Sequence, residues 1–356
     1  MPRILVTGSA GLIGGSLCAA LRLAGYEVQG FDLRAKAHEY GDVRDEASLR
    51  SAVIGCDGVI HLAAISRVLE AESAPEACHA TNVRGVHNVL AAVEAGAGVG
   101  ACMARRARSG TGSGGDPDAA GPWLVYASSR EVYGNAASLP ADEDSPLQPI
   151  NCYAKSKVIG ERLVEAAAAR GTRTVITRFS NVYGSVDDYP DRVVPAFALA
   201  AAHGGRLVVR GCDQRLDFTH IDDVVQGLLR LVAVFGEGGV DVPTLHFVTG
   251  RGTSLRELAA LSAEMAPGGC AIADAPESGI HVGRFIGCGA RARRWLDWTP
   301  QIRIEAGLRR LIDDYVKGRS ARANRAGNLA EKPAKEPVKK TVEPPVSRGP
   351  GRDAAA

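Results

Sequence analysis

Arg3-Ile4-Leu5-Val6-Thr7-Gly8-Ser9-Ala10-Gly11-Leu12-Ile13-Gly14 is the stretch whose reading decides the fold. Arg3 to Thr7 reads as a buried strand, and the apolar residues Ile13, Leu17, Leu21 and Ala24 recur at helical spacing. Between strand and helix stand three glycines in a Gly-x-x-Gly-x-x-Gly pattern. Gly8 allows a tight turn, Gly11 lets backbone approach a pyrophosphate, and Gly14 lets helix pack closely on strand. The helix, opened by Leu12 and Ile13, points its N-terminal N–H groups at the phosphates. Glycines at this spacing are weak evidence alone, but here both flanks that a dinucleotide site demands are present.

Outward from this turn, a second strand, Glu27 to Phe31, ends on Asp32, 24 residues after Gly8. That is close to the spacing of an acid that binds ribose hydroxyls and repels a 2′-phosphate, so NAD is favoured over NADP. Arg34 is the neighbour that argues the other way. A third strand, Gly58 to Leu62, runs into the small residues Ala63 and Ala64; His61 on it reads as a packed strand-end residue. A helix from about Pro75 to Ala95 and strands at Trp123–Ala127 and Thr172–Arg178 continue the alternation. The pattern predicts an α/β fold, a Rossmann doubly wound parallel sheet. Past residue 180 the alternation loosens, which predicts a smaller, discontinuous C-terminal substrate lobe. The expected division is 1–180 and about 213–249 for the NAD-binding domain, and about 181–212 and 250–318 for the lobe. The Gly/Ala/Ser-rich stretch at about 97–122 reads as a disordered insertion loop, since helix-to-strand connections usually take about 2–6 residues. Residues 319–356, with Pro333, Pro337, Pro344 and Pro345 among Lys, Arg and Ala, read as a disordered basic tail.

A second constellation carries chemistry: Ser128-Ser129-Arg130-Glu131-Val132-Tyr133-Gly134 and then Tyr153-Ala154-Lys155-Ser156-Lys157. Tyr153 and Lys157, four apart on a helix, share a face, so an ammonium beside the phenol is expected to lower its pKa and make it a proton acceptor. Ser129, delivered at the carboxyl end of a strand, can hold the oxygen being oxidised. By itself Glu131 reads as a loop residue salt-bridged to Arg130.

The tail holds nine Lys or Arg against four Asp or Glu, so the net charge of +2 leaves residues 1–318 at −3. With no basic, aromatic-bearing face, no nucleic-acid partner is expected. The eight cysteines show no Cys-x-x-Cys and no zinc-ligand spacing, so mostly buried reduced thiols and no metal are expected. No run of about 18 apolar residues and no leader-like start occurs, which predicts a cytoplasmic protein without a membrane partner.

Taken together and in this order, these pieces, with Gly41-Asp42-Val43, Asn181-Val182-Tyr183-Gly184 and Asp297-Trp298-Thr299-Pro300, resemble the extended short-chain dehydrogenase/reductases of the nucleotide-sugar epimerase/dehydratase type. The resemblance spans about residues 3–317. It implies that Asp42 and Val43 flank the adenine, that Ala63 lies along the NAD, that Lys157 binds the nicotinamide ribose and that Asn181 contacts the sugar diphosphate. It also implies a homodimer paired through two helices, about 75–95 and 151–170. Leu216 stands where the family usually has a diphosphate-binding Arg. Arg215, Arg210 or Arg284 is left to supply that charge, and Cys288 stands where an Asp is expected. The implied reaction is NAD-dependent 4-epimerisation of a nucleotide sugar through a transient 4-keto intermediate, with Tyr153 as base. The alternatives are decarboxylation or dehydration using Glu131, an NADP-dependent reductase, and a non-catalytic NAD-binding regulator.

Overall fold

The protein is described here from a computed structural model that covers residues 1–107, 121–238, 241–276 and 282–318. The chain begins with β1 (Arg3–Thr7), α1 (Leu12–Leu23), β2 (Glu27–Phe31), α2 (Glu46–Val53) and β3 (Gly58–His61). The short helices α3 (Val68–Ser73) and α4 (Pro75–His79), a π turn at Ala80–Arg84 and α5 (Gly85–Ala107) follow. Next come β4 (Trp123–Ser129), α6 (Cys152–Ala169), β5 (Thr174–Phe179), β6 (Asn181–Tyr183), α7 (Val193–His203), β7 (Arg206–Arg210) and β8 (Arg215–His220). The last part holds α8 (Ile221–Gly236), β9 (Leu245–Phe247), β10 (Gly252–Ser254), α9 (Leu255–Met265) and β11 (Ala271–Ala275). It closes with β12 (Arg284–Phe285), α10 (Ala290–Leu296) and α11 (Ile304–Val316).

The main sheet has the order β2-β1-β3-β4-β5-β9, and every neighbouring pair is parallel. Because side chains alternate along a strand, the apolar runs in its middle feed two cores. Ile4, Val6, Ile60 and Val125 pack with Leu17 and Leu21 of α1 and Val224 and Leu228 of α8. Leu5, Val59, Leu124 and Tyr126 pack the other way, with Leu49 of α2, Val86 and Val89 of α5 and Val164 of α6. Truncating a fully buried leucine such as Leu17 to Ala is expected to cost about 2–5 kcal/mol.

The second unit is built on β8, which pairs with β6, β10 and β12, while β7 pairs with β11. Its core joins Leu207, Leu216 and Phe218 to Phe197 of α7, Leu258 of α9 and Leu311 of α11. Two placements differ from the sequence reading. Strand 215–220, within the stretch 213–249 expected in the NAD-binding domain, lies in this second sheet, where Leu216 and Phe218 face the second core. Conversely Leu296 of α10 and Trp298 return to the first core, where Trp298 donates to the Asp223 carbonyl at 2.9 Å.

The expected helix at 75–95 is broken by the π turn and then runs to Ala107, so the first part of the stretch read as a disordered loop is helical. Its glycines looked like breakers, but the alanines, Met103 and arginines among them are good helix formers, and each glycine costs only about 1 kcal/mol. Residues 108–120 of that stretch and the 319–356 tail lie outside the described residues. Among the described cysteines all are free thiols, but only Cys18, Cys56 and Cys78 are buried. No described helix is long and apolar enough to cross a membrane.

Candidate active site

A cleft of about 830 Å³ runs along the carboxyl ends of β1 to β5 and reaches the loop before α7. At one end is the glycine turn. Gly8 sits at φ +72°, its N–H bonded to the Phe31 carbonyl at 2.9 Å. A Cβ on Gly8 would lie 2.7 Å from the Ala63 nitrogen, and one on Gly14 would lie 2.1 Å from the Gly8 oxygen. No side chain caps α1 at Gly11, so its first N–H groups are left for a ligand at the cleft, and Gly11, Leu12, Ile13 and Gly14 line it. These are the features a pyrophosphate needs, and the residues fit NAD.

Asp32 lines the same end and is buried. Its carboxylate accepts from Ala10 N–H at 3.1 Å and Arg34 N–H at 2.8 Å, and the Arg34 guanidinium stands 3.6 Å away. Arg34 is therefore paired with the acid. Val43 and Ala63 also line the cleft, but Asp42 does not. Its carboxylate is closed on Arg44, which bonds both oxygens through Nε at 2.9 Å and holds the Asp42 carboxyl below the usual range.

In the middle of the cleft β4 ends on Ser128 and Ser129, and a 3-10 turn follows over Arg130–Tyr133. Ser129 Oγ caps this turn by accepting from Glu131 N–H at 3.2 Å. Tyr153 and Lys157 project from α6, and Lys157 Nζ lies 5.9 Å from the Tyr153 ring centre. The ammonium donates to the Ala127 carbonyl at 2.7 Å, and burial lowers its pKa to about 8.

The phenol departs from the sequence expectation. Burial pushes Tyr153 up to about 12, opposed by a hydrogen bond from Ser129, raised further by Glu131 and eased by Arg192. Removing a buried phenolate from water outweighs its neighbours. The Lys157 ammonium is turned toward a backbone carbonyl and does not by itself make Tyr153 a base.

Glu131 and Arg130 are buried, line the cleft and form an ion pair, Nη2 to Oε1 at 2.9 Å. The other oxygen of Glu131 accepts from Asn151 Nδ2 at 2.9 Å. Asn151 also caps α6, accepting from Ala154 N–H at 2.8 Å, so one residue fixes both Glu131 and the helix that bears Tyr153. Arg130 Nη2 also reaches Asn181 Oδ1 at 3.3 Å, and Asn181 donates to the Asp217 carbonyl at 3.1 Å.

Arg215 and Arg284 do not line the cleft. Arg215 is held by Glu257 at 3.0 Å and the Gly252 carbonyl at 2.7 Å, whereas Leu216 faces the second core on the opposite side of the strand. Arg284 is exposed beside Arg215 in register, and Arg210 is exposed on β7. Among the described residues Arg67 and Arg192 line this end besides Arg130, and neither is picked out from the sequence. Arg67 pairs with Asp191, and Arg192 lies 3.6 Å from Asp188 and donates to Ser66 Oγ at 3.2 Å. Their guanidinium carbons stand 5.1 and 5.5 Å from the ring centre of Tyr189. The one sequence signal was an Arg placed just before a helix.

Behind the cleft a polar network holds the turn. Arg178 grips Glu161 through two bonds of 2.9 and 2.7 Å and donates to Tyr133 Oη at 2.6 Å; Ser128 donates to the same Glu161. The π turn serves a similar end, because Asn82 on it bonds Ile65 N–H at 2.8 Å and Ser156 Oγ at 2.9 Å. His61 is buried, bonded to Thr7 Oγ1 at 2.7 Å, and burial followed by Lys157 lowers its pKa to about 3. It is a packed strand-end residue.

The profile of the NAD dependent epimerase/dehydratase family matches residues 4–241, more than half of the chain. UDP-glucose 4-epimerase of Rhizobium leguminosarum bv. trifolii is 27% identical over 88% of this chain and 97% of its own. The dTDP-glucose 4,6-dehydratase of Streptomyces griseus is 28% identical over 89% and 95%. Among solved structures, MoeE5 in complex with UDP-glucuronic acid and NAD superposes with a TM-score of 0.74 at 26% identity, covering 89% of this chain and 99% of its own. Relatives that catalyse different reactions are thus about equally similar.

Proposed function

This chain belongs to the NAD dependent epimerase/dehydratase family, and from that premise we propose that it is a nucleotide-sugar 4-epimerase working through a transient 4-keto sugar. The observation that carries this choice is Arg130. A dehydratase needs an acid next to the residue at Glu131 to protonate the leaving hydroxyl, and a guanidinium, which stays protonated in proteins, has no proton to give. Glu131 is itself occupied on both oxygens.

NAD, when bound at the glycine turn, would supply a hydride acceptor and afterwards a donor, and its positive charge would add to that of Lys157 in favouring the Tyr153 phenolate that burial opposes. Tyr153 takes the proton of the C4 hydroxyl, and Ser129, bonded to that phenol, steadies the developing ketone oxygen. Lys157 keeps a positive charge beneath the phenol and toward the nicotinamide ribose. Arg192, with Arg67, takes the place assigned to Arg215 or Arg284 and meets the sugar diphosphate next to Asn181. With Ser129, Tyr153 and Lys157 all in the cleft, a purely regulatory NAD-binding role lacks support. The protein is a homodimer in this reading, paired through α5 and α6, where Ile159 is exposed.

The test is turnover of UDP- and dTDP-hexoses and UDP-glucuronate deuterated at C4, read by NMR. The 4-epimer is expected with deuterium retained at C4. A 4-keto-6-deoxy sugar, or a pentose formed by loss of carbon dioxide, would replace the epimerase reading with one in which Glu131 works at C5.

A further inference from the structure

A sugar oxidised at C4 carries an acidic hydrogen at C5, next to the new ketone, and the cleft holds a carboxylate, Glu131, near the reacting centre. Glu131 is close enough to Tyr153 to oppose ionisation of its phenol. If it removed the C5 proton, the C–H electron pair would pass into the enolate of the C4 ketone. A solvent proton returning to C5 could then enter from either face. An enzyme that alters C4 alone therefore has to prevent this step. Both oxygens of Glu131 are engaged, one by the charged guanidinium of Arg130 at 2.9 Å and one by Asn151 at 2.9 Å. Arg130 is anchored in turn to Asn181 at 3.3 Å.

We propose that Arg130 is a positioning residue for reaction fidelity: with Asn151 it ties up the Glu131 carboxylate so that C5 of the 4-keto sugar is left alone. The proposal rests on the 4-keto reading above, but a test that supplies the ketone ready-made does not depend on that reading. Two features of the ion pair make it effective. The guanidinium holds one carboxylate oxygen in a charge-assisted hydrogen bond, and the lone pairs are directed at fixed donors instead of at the substrate. Asn151 adds rigidity because, as the cap of α6, it cannot swing away without loosening the helix that carries Tyr153.

The experiment offers dTDP-4-keto-6-deoxyglucose in D₂O to the NAD-loaded protein and follows deuterium at C5 by NMR, against a protein-free control. Wild type is expected to exchange little above that control. Arg130→Gln, which keeps a donor for Glu131 but not the charge, and Arg130→Met should raise exchange about tenfold to hundredfold, the worth of a lost hydrogen bond to a charged group. Arg130→Lys should stay near wild type, and Arg130→Gln with Glu131→Gln should fall back to it. A merely structural Arg130 would give variants with lowered melting temperatures and no Glu131-dependent exchange. Rapid exchange by wild type, or no rise in either folded neutral variant, would overturn the proposal. The C4-deuterium experiment decides the epimerase reading separately, so the failure of one is not mistaken for the failure of the other.

Discussion

The two ends of the cleft are built in opposite ways. At the cofactor end the groups come from one short stretch, Gly8 to Gly14, plus Asp32 at the tip of the adjacent strand, and much of the binding surface is backbone. At the substrate end Arg67 meets Asp191 and Arg192 meets Ser66, side-chain contacts between segments more than a hundred residues apart in the chain. The first kind of site survives in a sequence as spacing. The second leaves only isolated charges that become a site when the fold brings them together.

The two ends can be separated by experiment, and the largest effect comes from the residue between them. Tyr153→Phe is expected to lower kcat by about a thousandfold or more while leaving NAD and nucleotide-sugar affinities nearly intact, since only the proton-accepting oxygen is lost. That inert variant is the background in which affinity at each end can be measured by calorimetry. Near wild-type turnover would remove Tyr153 from its role.

Gly14→Ala attacks the cofactor end through its backbone. Its Cβ would sit 2.1 Å from the Gly8 oxygen, a contact that no rotamer change relieves. A loss of about 3 kcal/mol or more in stability is expected, together with loss of NAD binding. Arg192→Ala attacks the other end, where nucleotide-sugar affinity should fall about tenfold to hundredfold with NAD affinity unchanged. If Arg192→Ala weakens NAD as much as the sugar nucleotide, the two ends are not independent. A smaller effect is expected from Asp32→Ala, which should reduce the preference for NAD over NADP by about tenfold; Arg34, released from its partner, would then face the added phosphate.

This contrast explains what was legible in advance. The glycine turn, the parallel sheet and the Ser129, Tyr153 and Lys157 set are each local patterns joined by ordinary topology. The displacement of Arg215 was visible too, because a shift of one residue in a strand turns a side chain to the other face; what took over its charge was not. The stretch 213–249 reads as one piece of the NAD-binding domain although its first strand, 215–220, joins the second sheet, because a strand's hydrophobic pattern shows that it has a buried face and not which sheet buries it. The geometry of Lys157 against Tyr153 is hidden for a similar reason: helical spacing puts two side chains on one face but says nothing of how deeply both are buried or where the ammonium points. Glu131 in an ion pair with Arg130 was one of two readings, and it could not be chosen without the positions of Asn151 and Asn181.

Lys157 supplies the smallest test, one that bears on burial at the junction of the two ends. Its pKa is lowered from an ordinary 10.5 to about 8, with burial the main cause. Between those values the unfolded chain holds a proton on this residue that the folded protein has released, so stability rises with pH across the window. Below pH 8 both states are protonated and the cost of burying the ammonium is present in full. From pH 8 to 9 the gain from this residue should be about 1 kcal/mol. Lys157→Met has nothing to titrate, so its stability curve, measured by urea unfolding at several pH values, should lack that rise relative to wild type. Parallel curves would mean that Lys157 keeps its ordinary pKa and its charge at pH 9. The bond to the Ala127 carbonyl would then compensate the ammonium for its lost hydration more fully than burial implies.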